Sequence, residues 1–265
     1  MPGKNNRVAA RFFLLKEMVV RDIRARYAGS SLGLLWAFAL PVLWMVLYTV
    51  VFSVILRVPI EGGFASFPEF LLAGLLPWMA IQEGISRSAS ALTDNAAIVK
   101  KTVFPVETLV VSVVVAALIN QLIAFGVFAV YVAMVGHLSV PWLLLILPAI
   151  ALQALLTFGV GCLAATVTTF VRDAAQLVGV LLTVVFWATP IVYPASLVPP
   201  RQSWLTAILR ANPITHLADW YRRAFTLHAA PDPSSIVYLC VFSMAAALAG
   251  AALFFKARPH FADLV

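Results

Sequence analysis

Apolar and charged positions fall in long blocks along this chain. Seven basic residues, Lys4, Arg7, Arg11, Lys16, Arg21, Arg24 and Arg26, crowd the first 26 positions, and an uncharged run follows from Ala28 to Leu56. A helix rises about 1.5 Å per residue, so about 20 apolar residues cross a hydrocarbon core of about 30 Å. Apolar runs and their breaks predict six spans, at 32–56, 68–92, 106–135, 141–170, 174–192 and 235–255. The fifth is short, and irregular structure is expected to continue it after Pro190. The loops at 57–67, 136–140 and 171–173 are brief, whereas 93–105 and 193–234 are longer stretches that do not span.

Six spans place both termini on one side. Thirteen of the eighteen Lys and Arg residues fall on that side, which orients it to the cytoplasm. The expected fold is an all-α polytopic membrane protein. Residues 1–31 form a cytoplasmic N-terminus, 32–256 the six-helix membrane domain and 257–265 a cytoplasmic tail. Composition agrees: of 265 residues 63% are hydrophobic and 11% charged, against roughly 25% charged in soluble domains. The net charge of +7 follows from the cytoplasmic loops, and no basic groove for nucleic acid is evident. Cys162 and Cys240 sit in apolar runs without disulfide or metal spacing. The basic N-terminus and the apolar run are both too long for a cleavable signal.

Several segments invite a function. Glu83 and Arg87, four apart in the second span, can pair on one helix face. The pair reads either as an interfacial ion pair or as a buried pair beside a polar pathway. Phe12, Leu15, Val19 and Ile23 give 8–27 an apolar side, with Arg21 and Arg24 elsewhere, so a helix lying in the membrane surface is expected. It serves as an anchor or as a docking element. In 93–105, Thr93, Asp94 or Asn95 can cap a short helix with Lys100 and Lys101 in its last turn and Pro105 ending it: a knob for a soluble partner, or an ordinary loop helix.

Pro194, Pro199 and Pro200 break the chain after the fifth span. Ser203 to Arg210 then reads as one short helix, and Asn212-Pro213 starts another, with Ile214, Leu217, Trp220, Tyr221 and Phe225 apolar and Asp219, Arg222 and Arg223 polar. Neither can span, so 194–225 is a re-entrant hairpin or outer lid, or else interfacial helices. Trp44, Tyr48 and Phe52 recur at four-residue intervals, with Trp36 earlier. The stripe reads as packing or as a lining on which sugar rings stack.

Catalytic motifs are absent from the sequence. Gly3-Lys4 is the one Gly-Lys pair and opens no phosphate-binding loop; there is no H-E-x-x-H, Cys-x-x-Cys or G-x-S-x-G. The chain is therefore expected to hydrolyse no ATP itself. Any pumping draws on a partner or an ion gradient.

The stretch Arg21-Asp22-Ile-Arg24-Ala-Arg-Tyr-Ala-Gly-Ser-Ser-Leu-Gly-Leu-Leu-Trp36 resembles the membrane subunits of ABC exporters for bacterial surface polysaccharides. Phe70 to Trp78, Asn95 to Pro105, Asn212-Pro213 and Phe261 to Asp263 are similar too, in the same order. The resemblance implies an inner-membrane homodimer above two copies of a separate nucleotide-binding ATPase. ATP and Mg would be bound there and no cofactor here. The cargo would be lipid-linked polysaccharide, O-antigen or capsular, with teichoic acid as the alternative, and periplasmic or outer-membrane export proteins as further partners. By that likeness Arg21, Asp22, Arg24, Asp94, Asn95, Ile98, Val99 and Lys100 dock the ATPase. Trp36, Trp44, Tyr48, Phe52 and Trp187 line a path formed mainly by the first and fifth spans. Pro194, Asn212, Pro213, Trp220 and Tyr221 belong to an outer gate.

Two other classes compete. A secondary transporter usually shows internal repeats and mid-span charge; spans 1–3 and 4–6 show no evident likeness, and most spans lack such charge. A membrane-embedded transferase would group acids or histidines on one face; His137, His216, His228 and His260 are scattered.

Overall fold

A computed structural model of the chain describes residues 4–27, 35–57, 64, 66–101, 104–197 and 203–265. The expected start of the first span at 32, most of the 57–67 loop, residues 102–103 of the 93–105 segment, and Pro199 and Pro200 lie outside the described residues. Every regular element among the described residues is helical. They are α1 (Lys4–Tyr27), α2 (Trp36–Thr49), α3 (Phe67–Asp94), α4 (Ala96–Val99), α5 (Glu107–Met134), α6 (Val140–Leu143), α7 (Ile146–Phe170), α8 (Ala174–Trp187), α9 (Ser203–Ala211), α10 (Pro213–Arg222), α11 (Pro233–Ala257) and α12 (Phe261–Leu264).

Among the described residues four helical stretches are long and apolar enough to cross a membrane: Phe38–Ile55, Glu107–Met134, Val140–Phe170 and Pro233–Leu264. The helix α8 is apolar but shorter. With 28 residues α3 has the length but is less apolar, and its position explains why. It is the central helix, walled in by α5, α7, α8 and α10, and most of its residues are buried. A helix surrounded by protein is freed from the demand lipid makes on its side chains. Its first turn even holds a buried carboxylate, Glu69, matched by His137 Nδ1 at 2.9 Å.

Two apolar clusters divide the interior. The larger joins α3, α5, α7, α8 and α10 through Leu71, Leu72, Phe128, Leu217, Tyr221 and Phe225. The smaller lies where α1, α4 and α12 meet the bundle and centres on Met18, Leu92, Val99, Leu109, Phe254 and Phe261. Against α7, α11 packs backbone to backbone: a Cβ on Gly250 would overlap the Gly159 carbonyl, and one on Gly159 would overlap the Ala246 carbonyl. Small residues at such a crossing let helices approach where no hydrophobic effect drives them together.

Differences from the periodicity are local. The run 141–170 divides into α6 and α7, and the helical part of 174–192 ends at Trp187. A π-helical turn, Val50–Ile55, continues α2, and another, Arg223–Leu227, continues α10 and ends at His228, whose φ of 49° is a left-handed cap. α1 starts earlier than expected, at Lys4, and among its described side chains Met18 and Val19 are buried while Phe12 and Phe13 are exposed.

Candidate functional site

Three groups of residues stand out, and the first is a charged corner. Arg87, near the end of α3, donates from Nη1 to Asp22 Oδ2 at 2.7 Å and from Nη2 to Asp22 Oδ1, a two-pronged tie to α1. The expected partner, Glu83, is also reached, at a longer 3.4 Å. Just beyond the end of α3, Arg21 donates to Asn95 Oδ1 at 2.9 Å. Asn95 occupies the first position before α4 but does not cap it by its side chain; its Nδ2 donates back to Ala91 O at 2.9 Å, and its oxygen is taken by Arg21. Asp94 accepts from Ser90 at 2.6 Å. So α1 is fastened to the corner where α3 hands over to α4.

At that corner Asp94 at the end of α3, Ala97 of α4 and Lys100 just after it are exposed, as is Arg24 of α1. Ile98 is half-buried and Val99 only 5% exposed, packed among the smaller cluster. Phe261 of α12 fills the same cluster, its ring 5.0 Å from Phe254, and Arg258 reaches Glu107 at 3.4 Å. The sequence reading treated 257–265 as a tail and missed this; its signal was an aromatic residue in a polar terminus.

An aromatic ladder forms the second group. Ring centroids lie 5.6 Å apart for Trp44 and Tyr48, 6.0 Å for Tyr48 and Phe52, and 5.4 Å for Phe52 and Phe67. The ladder then passes to Phe70, over which the Arg222 guanidinium sits at 3.7 Å. Trp36 and Trp44 line one cavity between α2, α3 and α5. Trp187 stands apart on α8, 60% exposed, beside Phe186 at 5.2 Å.

The third group braces the α9–α10 hairpin. Asn212 Oδ1 accepts from Ile214 N at 2.9 Å, capping α10 with Pro213 in its first turn, and its Nδ2 donates to Thr189 at 2.7 Å just beyond α8. Trp220 donates to Leu145 O at 3.0 Å. Pro194 is buried. Arg222, which periodicity put on the polar side with Asp219 and Arg223, is instead only 5% exposed. Carbonyls account for the difference: Arg222 Nε donates to Phe70 O at 3.0 Å, and Nη2 to Pro190 O at 2.8 Å and Ile191 O at 3.0 Å. Burial lowers its pKa to about 9, with the Asp219 carboxylate opposing, so it stays protonated at neutral pH. Asp219 and Arg223 pair outside at 2.7 Å.

Behind Arg222 lies a buried polar triad. Tyr221 donates to Gln153 Oε1 at 2.7 Å, and Gln121 Nε2 donates to the same oxygen at 3.1 Å. Gln121 and Gln153 were not singled out from the sequence, although Gln153 stands alone and Gln121 follows Asn120 in long apolar runs, a recognised mark of intramembrane function or packing. Among the described residues no group of His, Cys, Asp or Glu could hold a metal ion.

A family profile described as ABC-2 type transporter matches residues 14–226. The O-antigen export system permease protein of Myxococcus xanthus is 32% identical over 253 residues, 95% of each chain. That of Klebsiella pneumoniae is 30% identical over 256 residues, 96% of this chain and 95% of its own. The polysialic acid transport protein of Escherichia coli is 24% identical over 245 residues, 91% of this chain and 92% of its own.

Proposed function

The chain belongs to the ABC-2 type transporter family, and from that footing we propose that it is the membrane permease of an ATP-driven exporter that moves a lipid-linked O-antigen or capsular polysaccharide across the bacterial inner membrane. One observation carries the reading: likeness along nearly the whole chain to permeases named for O-antigen export. The O-antigen type is favoured, because those relatives are closer to this chain than the polysialic acid transporter is. In this family ATP hydrolysis belongs to a separate protein.

The finer arrangement extends the proposal. α3 and α8 cross the membrane along with the four long apolar stretches, making six spans with both termini in the cytoplasm. Two such chains pair over two ATPase subunits, which bind ATP and Mg. The outward residues of the α4 corner, Asp94, Lys100 and Arg24, meet the ATPase. Asp22, Arg21 and Asn95 hold that corner in shape, and Val99 anchors it from within. The ladder of Trp44, Tyr48 and Phe52, with Trp36 nearby and Trp187 of α8, offers aromatic faces to sugars. The hairpin from Pro194 to Phe225 closes the outer end.

Deleting the gene tests the function. Loss of surface polysaccharide with accumulation of lipid-linked glycan inside the cell is expected, and the purified chain should hydrolyse ATP only with its ATPase. Unchanged surface polysaccharide in the deletion strain would overturn the proposal.

A further inference from the structure

The α4 corner is fastened from one side by α1, through Asp22 and Arg21. The stretch from Arg258 to Val265 fastens it from another. α4 has four residues and no side-chain cap. So short a helix does not hold its own shape in water, and its neighbours must set its position. Val99 of α4 shares a cluster with Phe261 of α12, which is fully buried, and Phe254 of α11 stands behind, its ring 5.0 Å from that of Phe261. Ile98 and Val265 pack against the same cluster. Ala262, Asp263 and Leu264 are exposed, so Phe261 is the side chain by which α12 enters the protein. Three residues earlier, Arg258 Nη1 lies 3.4 Å from Glu107 Oε2, in the first turn of α5. Among the described residues that buried oxygen accepts no hydrogen bond, so Arg258 is the charge that meets it. One stretch thus holds both ends of the passage from α4 to α5, with a ring at α4 and a cation at α5.

The stretch is itself anchored. It continues α11 through a tight 3-10 turn, Arg258–His260, and α12 also touches α7. α11 in turn lies backbone to backbone on α7 at Gly159 and Gly250. Interiors packed to that closeness have low compressibility and pass a displacement on. A push on α4 therefore has a route into α11 and α7 that bypasses α3 and α5, its neighbours in sequence.

Resting on the reading above, in which the α4 corner meets the ATPase, we propose that Phe261 and Arg258 are positioning residues for energy coupling: they seat α4 and carry its displacement into α11 and α7. Closing the bundle explains Phe261 alone. It does not explain Arg258, which is 41% exposed and contributes little to stability as a surface ion pair.

The readout is export per ATP hydrolysed, with the permease and its cognate ATPase together: surface polysaccharide per unit of permease in cells, and hydrolysis by the purified complex. Phe261→Ala leaves a hole under α4. Hydrolysis should stay within twofold of the unaltered complex while export falls at least fivefold. Phe261→Leu, which refills most of the hole, should regain export. Arg258→Glu sets a second carboxylate beside Glu107 and should lower export per ATP at least twofold; adding Glu107→Arg should restore it. This pair involves an exposed partner, so it decides the matter where Phe261→Ala lowers the protein level. Export and hydrolysis falling in proportion in these variants, or neither changing, makes the stretch bundle packing and overturns the proposal. An ATPase that binds Asp94→Arg, Lys100→Glu permease as tightly as the unaltered chain removes the docking premise. Absence of export by the unaltered chain with an active ATPase overturns the export reading itself, so the failures are distinguishable.

Discussion

Arg222 is a positive charge enclosed by carbonyls. Three of them, from Phe70, Pro190 and Ile191, belong to two segments, the first turns of α3 and the exit from α8, which Arg222 ties together. A buried charge is stable only when its donors are taken, and hydrogen bonds to charged groups are worth about 1.5–3 kcal/mol each. Gly74 makes room: a Cβ there would stand 2.9 Å from Arg222 Nη2. Arg222→Met should therefore destabilise the purified protein by roughly 3 kcal/mol or more, since it strips the carbonyls of a donor. Arg222→Lys, reaching fewer of them, should fall between. Thermal unfolding in detergent measures both. Equal stability of the methionine variant would mean that the desolvation cost of the charge cancels its hydrogen bonds.

At the scale of elements, the corner formed by α1, α3 and α4 is the part most open to test. The Asp22–Arg87 tie is partly exposed, with side-chain exposures of 15% and 36%, so solvent screening keeps its contribution to about 1 kcal/mol or less. Its value lies in geometry: it fixes where α1 sits beside the handover to α4. Arg87→Asp would set three carboxylates together and should cut export severalfold. Adding Asp22→Arg should restore part of it. A double variant no better than the single one would show that the tie does not position the corner. How much of this was legible follows from which force shaped each element. The limits of α5, α7 and α11 fall close to the ends of apolar runs, because length and apolarity are what lipid selects. The Asn212-Pro213 start of α10 was legible because capping is local chemistry. Arg222 was not, because periodicity separates polar from apolar faces but cannot tell that a polar face meets carbonyls instead of water. The Asp22 link to Arg87 and the packing of Phe261 under α4 were hidden for a related reason: both join positions far apart in sequence.

For the whole molecule, the question is what the unburied helices face. None of the Phe38–Ile55 stretch is buried within the chain, and Leu177, Val180, Leu181, Val184 and Trp187 of α8 are each about 60% exposed. Lipid, a second copy or a path can each cover such surfaces, but lipid alone does not call for an ordered aromatic ladder. The run from Trp44 through Tyr48, Phe52 and Phe67 to Phe70 leads to Arg222 and so to the hairpin that would close the outer end. Aromatic faces hold sugars without demanding one hydroxyl pattern, which suits a polymer that must slide. Trp44→Ala with Tyr48→Ala removes the first two rungs. Both residues are only partly buried, so the loss of packing should be small beside that of a fully buried aromatic, about 3–5 kcal/mol. Surface polysaccharide should then fall at least tenfold while the protein level and thermal stability change little. Polysaccharide falling only in proportion to protein level would make the ladder a packing feature. The path would then have to be sought along the other exposed face, on α8.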